Sequence, residues 1–114
     1  MPNISFGKIT VPSAGTPVQL TVNITAPKDP QNVQVHAVLI QPHPSNTGKV
    51  YIGKASNFTK SGAGQIAWLP PPGANTAPAF SETVSFAPNA IQCAEFWIDV
   101  DNNGDSVIAS GVIL

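Results

Sequence analysis

Residues 33–54 read VQVHAVLIQPHPSNTGKVYIGK, and the fold class turns on this stretch. Val33, Val35 and Ala37 alternate with Gln34 and His36, the period of two that sends one set of side chains into a core and the other away from it. Across residues 38–40 both parities are apolar, so the end of this strand is expected to be covered twice, by the core and by something else. Pro42, Pro44, Ser45, Asn46 and Gly48 then reverse the chain. Val50 and Ile52 follow on one side of a second strand, with Lys49, Tyr51 and Gly53 on the other. The pattern predicts a hairpin, and a hairpin is stable only inside a larger sheet.

The rest of the composition agrees. A chain of 114 residues is one domain, spanning 1–114, with room for a single core. Twelve prolines and nine glycines, with abundant Thr, Ser, Asn and Val, favour strands and turns over helices. Charged residues make up 10% of the chain, against about 25% in an average soluble domain. Charge is depleted at protein interfaces, so this shortage points to assembly. A net charge of −1 leaves no basic excess for phosphate contacts, which argues against nucleic acid as a partner. Cys93 stands alone, excluding an intramolecular disulfide and suggesting a small buried thiol. The start, MPNISFGKITV, lacks the features of a secretory leader, and no run of about 18 apolar residues suggests a membrane span. A protein made in the cytoplasm is therefore expected. Sequons at Asn3, Asn23 and Asn57 are common by chance in such chains and matter only after secretion.

Along the chain, Ile4 and Phe6 fall on one parity and Ile9 and Val11 on the other, which predicts a bulge near Gly7 and Lys8. Residues 18–25 read as a strand with Val18, Leu20, Val22 and Ile24 inward and Gln19, Thr21, Asn23 and Thr25 outward. Pro27, Lys28, Asp29 and Pro30 form a turn. Residues 55–64 read as a loop carrying Phe58, and residues 65–69 as a short strand with Ile66 and Trp68 on its core face. The segment LPPPGANTAPAF, residues 69–80, is too rich in proline for a ladder and reads as an extended excursion. A strand over 82–86 points Val84 and Phe86 inward. In 94–100, Phe96, Ile98 and Val100 share one face and Trp97 takes the other. Asn103-Gly104 suggests a tight hairpin over 99–105. Residues 107–114 are apolar on both parities, so this strand should be central or lie against a partner. About eight antiparallel strands at this spacing predict an all-β, jelly-roll-like β-sandwich.

Candidate chemistry is sparse. Asp99, Asp101 and Asn103 match the first half of a calcium loop, but Ser110 stands where a bidentate Glu belongs, so an acidic turn is the reading. His36 and His43 lie on separate elements without a Cys or carboxylate cluster, too few ligands for a metal site. No nucleophile elbow or phosphate loop is present, and neither an enzyme nor a cofactor is expected. Tyr51, Phe58, Trp68 and Trp97 could form an aromatic platform for a sugar or a protein. Tyr51 and Trp97, alternating away from the apolar faces, are the contact candidates.

Two stretches carry a resemblance. VLIQPHPSNTGKVYIGK, residues 38–54, is similar to the strand, P-x-N-T-G-K-[IV]-Y-[IV]-G turn and strand of phage structural proteins. FWIDVDNNGDSVIASGVIL, residues 96–114, is similar to their closing aromatic strand, Asp-rich turn and terminal strand. On these motifs the chain resembles the decoration, or cement, proteins of tailed bacteriophage capsids. The resemblance implies a virion protein on the outer capsid surface that bridges subunits of the major capsid protein and associates with itself as a homo-oligomer. It also suggests a reaching arm in the excursion, with Pro71, Pro72 and Phe80 as partner contacts.

Overall fold

The computed structural model describes residues 3–25, 28–73, 76–83 and 90–113. These contain nine strands: β1 (Asn3–Thr10), β2 (Val18–Gln19), β3 (Gln34–Pro42), β4 (Val50–Gly53), β5 (Gln65–Leu69), β6 (Phe80–Thr83), β7 (Ile91–Gln92), β8 (Trp97–Val100) and β9 (Ser106–Ile113). The first sheet runs β1-β9-β3-β6, with β7 also on β3, and the second β2-β8-β4-β5. Every pairing is antiparallel. The protein is an all-β sandwich, as its alternation predicts.

The pairs nest. β1 lies beside β9, β2 beside β8, β3 beside β6 and β4 beside β5, as if one long hairpin had been wound over itself into two layers. β7 is a short addition on β3. Phe6, Ile9, Leu20, Ile40, Ile52, Phe96 and Ile98 from the two inner faces are fully buried between the sheets.

Two expected hairpins do not form. β3 and β4 belong to different sheets, and so do β8 and β9. The turns at 43–49 and 101–105 are corners that carry the chain from one layer to the other. Alternation states which side chains are apolar but not which strand lies alongside, and proline and Asn-Gly serve a corner as well as a tight turn.

The predicted bulge is present. The β1–β9 register shifts between Ser5 and Gly7, and Gly7 takes φ +70°, a conformation most residues avoid. Asn23 serves this irregularity: its Nδ2 donates to Phe6 O at 3.1 Å and Lys8 O at 3.0 Å. For that reach the predicted strand over 18–25 stops early. β2 ends at Gln19, and turn hydrogen bonds from Val22 N to Gln19 O and from Ile24 N to Thr21 O follow. Thr21 is buried, its hydroxyl without a partner, while Val22 is 53% exposed. The expected facing fails at these two positions, where the chain turns after Gln19, while Leu20 stays buried and Ile24 packs on the core as expected.

The other elements follow their patterns more closely. Asp29 caps a 3-10 turn, Pro30–Asn32, by accepting from Gln31 N at 2.9 Å. Pro27 lies outside the described residues, as do Val84 and Phe86. β8 starts at Trp97, after a 3-10 turn at Cys93–Glu95, and keeps Phe96, Ile98 and Val100 inward. β9 is central, between β1 and β3.

The corners are knitted by side chains that imitate a strand. Asn46 Nδ2 donates to Ser106 O at 2.7 Å, and Asn46 Oδ1 accepts from Ser106 N at 2.8 Å. Both bonds are buried, so truncation leaves a backbone donor and acceptor unpaired, at about 1–3 kcal/mol each. Asn46→Ala is expected to destabilise the fold by about 2–4 kcal/mol, lowering Tm on the order of 10 °C. Asn46→Asp, which keeps the acceptor but turns a carboxylate oxygen towards the buried Ser106 carbonyl, should lose at least as much at neutral pH. Thermal unfolding by circular dichroism checks both.

Candidate interaction surfaces

Each sheet turns one face to the core and the other outward, and the outward faces differ in chemistry. On the second sheet, Tyr51 of β4 sits opposite Trp68 of β5 on one side and Asp99 of β8 on the other, while Gly53 sits opposite Trp97. Trp97 in turn pairs with Gln19 of β2. The aromatic residues singled out by parity therefore share one face.

Trp68 was expected in the core and is not: it is 49% exposed and Ile66 41% exposed, while Leu69 is buried and Ala67 packs on the core. Both parities of β5 are apolar, and this edge strand puts its smaller side chains inward. Lys49 Nζ lies 4.6 Å from the Trp68 ring centroid, a cation–π contact that leaves half of the indole exposed.

Phe58 is not part of an open platform. The 54–64 loop folds its ring over Gly53, where an added Cβ would collide with it. Phe58 is thus buried on the outer side of the sheet, apart from the main core. Lys60 fastens the loop by donating to Val100 O at 3.0 Å and approaching Asp101 Oδ1 at 3.7 Å. Tyr51 is half-buried beside it, its hydroxyl donating to both Asp101 oxygens at 3.1 Å.

The outer face of the first sheet is almost without charge. Across the strands, Asn3, Val112, Ala37 and Thr83 form one row; Ser5, Ser110, Leu39 and Ser81 the next; Lys8, Ile108 and Gln41 a third. Leu39 is 37% and Ile108 41% exposed. A shallow concavity runs over Asn3, Ala37, Leu39, Ser81, Ser110 and Val112. The signal for this face lies in the sequence, in the two segments apolar on both parities. β3 and β9, which carry them, are neighbours. Leu39 and Ile108 are residues that a search for outward aromatics misses.

The excursion does not extend as an arm over its described part. Pro72, Thr76 and Pro78 lie beside Pro42, Pro44 and Ile108, and Pro71 is half-buried. Phe80 leans on the core, edge-on to Phe96 at 6.0 Å between ring centroids. Packing on the body reduces the apolar area that an arm would expose.

The acidic turn is structural. Asp99 is buried and accepts from Gly15 N at 2.9 Å and Val100 N at 2.8 Å. Asn103 Oδ1 accepts from Ala14 N at 2.8 Å. The Asp105 carboxylate accepts from Thr47 N and from Gly48 N, the latter at 3.0 Å. With Asp101 turned to Tyr51 and Lys60, the calcium-like oxygens are spent on separate donors. Among the described residues no group of three or more His, Cys, Asp or Glu is placed to hold a metal ion. His43 Nδ1 accepts from Ser45 N at 3.1 Å within its own turn. Cys93 is fully buried, and burial pushes its thiol up to about 12 against the lowering effect of Lys54.

Comparison with known proteins identifies no relative: no family model matches the chain, and no curated protein or solved structure does.

Burial first, then the Asp101 hydrogen bond and charge, hold the Tyr51 phenol above its ordinary value. The protonated phenol is the form the fold favours, so its contribution to stability is present below the unfolded value and is lost as pH rises through the folded one. Tyr51 is the only tyrosine, so phenolate absorbance reads it directly. In Asp101→Asn the midpoint should fall towards the ordinary value without reaching it, since burial remains.

Proposed function

We propose that this protein is a viral structural protein, a decoration or cement protein of a tailed-phage capsid. In this reading it binds the outer surface of the assembled head and bridges neighbouring major capsid protein subunits. The observation that carries the reading is the outer face of the first sheet: eleven described positions with Lys8 the only charge among them, and with Leu39 and Ile108 exposed at its centre. Interface cores are depleted of charge in the same way. The sequence resemblance in residues 38–54 and 96–114 supplies the kind of partner.

The mechanism is cross-linking. A protein that binds only the expanded lattice stabilises that lattice by mass action. Contacts that are weak singly become strong when repeated over a rigid shell and joined by self-association. No bond is made or broken, and the sandwich acts as a rigid spacer whose inner faces hold its shape while an outer face adheres.

Expanded phage shells incubated with the protein and sedimented should carry it down. Leu39→Lys combined with Ile108→Lys should abolish co-sedimentation while the protein stays folded, with at most a modest fall in Tm, because about two fifths of each residue is already exposed. Failure of the parent protein to bind shells at any salt concentration sinks the proposal.

A second reading draws on the other sheet. The exposed Trp68 indole beside Tyr51, with Trp97 on the same face, suits stacking against a sugar ring, as in carbohydrate-binding or adhesion β-sandwich modules of phage fibres and cell surfaces. On a glycan array this reading expects a signal that weakens in Trp68→Ala and Trp97→Ala; a blank array from the parent protein removes it.

A further inference from the structure

Asn103 and Gly104 form the one Asn-Gly pair in the chain. Such a pair is chemically reactive, because glycine has no side chain to shield its backbone nitrogen. That nitrogen attacks the Asn carboxamide carbon and forms a new C–N bond. The carboxamide nitrogen leaves as ammonia, carrying the proton lost from the attacking N–H, and a succinimide ring remains. Water opens the ring at one carbonyl or the other, giving Asp or isoAsp. Water is the only co-reactant, and Asn103 is exposed to it.

In the fold, both reacting groups are engaged by one neighbouring segment, the 11–17 loop between β1 and β2. The Gly104 N–H donates to Val11 O at 2.9 Å. The Asn103 carboxamide oxygen accepts from Ala14 N at 2.8 Å. Attack requires the nitrogen to leave Val11 and the carboxamide to rotate away from Ala14. The loop is itself held down, with Gly15 N on the buried Asp99 carboxylate at 2.9 Å and Val11 N on Asp105 O at 3.1 Å. We infer that Asn103 is a latent deamidation site gated by the β1–β2 loop, converting to Asp or isoAsp only when that loop lifts. IsoAsp inserts an extra methylene into the backbone before Gly104, so a converted corner cannot restore both contacts.

A clean test comes from the loop's own turn. Thr16 N donates to Ser13 O at 3.0 Å, and Gly15 takes φ +93° while no residue other than glycine has positive φ among those described. This is a type II turn with Ala14 at its second position, where proline is favoured. Ala14→Pro therefore suits the turn and deletes the N–H that holds Asn103. Peptide mass spectrometry of protein aged in mildly alkaline buffer reads the conversion at Asn103, and Asn103→Gln provides the blank. The native protein is expected to convert roughly tenfold or more slowly than the urea-unfolded chain, in keeping with protection by local structure. Ala14→Pro should convert roughly fivefold faster than the parent, the increase in open population when one hydrogen bond is lost, without a lowered Tm. Gly15→Ala, strained at the same turn, should also accelerate it, so the inference does not hang on one variant. Equal rates in native and unfolded parent protein, or parental rates in both variants, overturn it.

Discussion

The fold depends on backbone groups being satisfied where the chain passes between layers. The chain changes sheet after β1, β2, β3, β5, β7 and β8, and at each corner the peptide groups leave one ladder before joining another. Orphaned in a buried place, each such group is costly. Here short polar side chains act as the missing strand. Asn46 completes the edge of Ser106 in both directions, Asp105 collects the amides of Thr47 and Gly48, and Asp99 and Asn103 hold the amides of Gly15 and Ala14. Carboxylates are strong acceptors for this purpose. That is why two of the few acidic residues, Asp99 and Asp105, are buried in a protein otherwise sparing of charge.

The same corner explains the motifs that carry the sequence resemblance. In PSNTGK, Asn46 pairs with Ser106, the Thr47 hydroxyl accepts from Asn102 Nδ2 at 2.8 Å, and Gly48 leaves space where a Cβ would come within 2.7 Å of that amide. Their partners all lie in DNNGDS, residues 101–106. The two stretches interlock, so the motif describes how a sandwich closes one end. A motif of this kind carries no catalytic meaning by itself.

Once that end is closed, the outer faces are free to diverge. The second sheet carries a plugged aromatic face, with Phe58 sealed over Gly53 by Lys60 and its loop, and with Trp68 and Ile66 left exposed. The first sheet keeps a plain face of hydroxyls, amides and exposed Leu39 and Ile108. Rigidity comes from the shared core between them, and adhesion from whichever face meets a partner. The proline-rich excursion lies back over Pro42 and Pro44, covering part of the corner end.

By itself the sequence determined how individual strands face. It placed the bulge near Gly7, put Phe96, Ile98 and Val100 in the core with Trp97 opposite, and required the last strand to be central or covered by a partner. Each of these follows from local alternation or from apolar character on both parities, properties a strand carries wherever it lies. Only the tertiary structure decided which strands are neighbours. Pro42 to Gly48 and Asn103-Gly104 bend the chain equally well within a sheet or between sheets, and the choice rests on Asn46, Asp99 and Asp105 finding partners about 60 to 85 residues away in the chain. Tertiary context also turned Trp68 outward, because either face of β5 could have been buried, and it ended β2 at Gln19, because Asn23 was needed at a bulge on another strand. Period-two patterns record the side of a strand and carry no information about its partner, so long-range hydrogen bonds had to supply the topology.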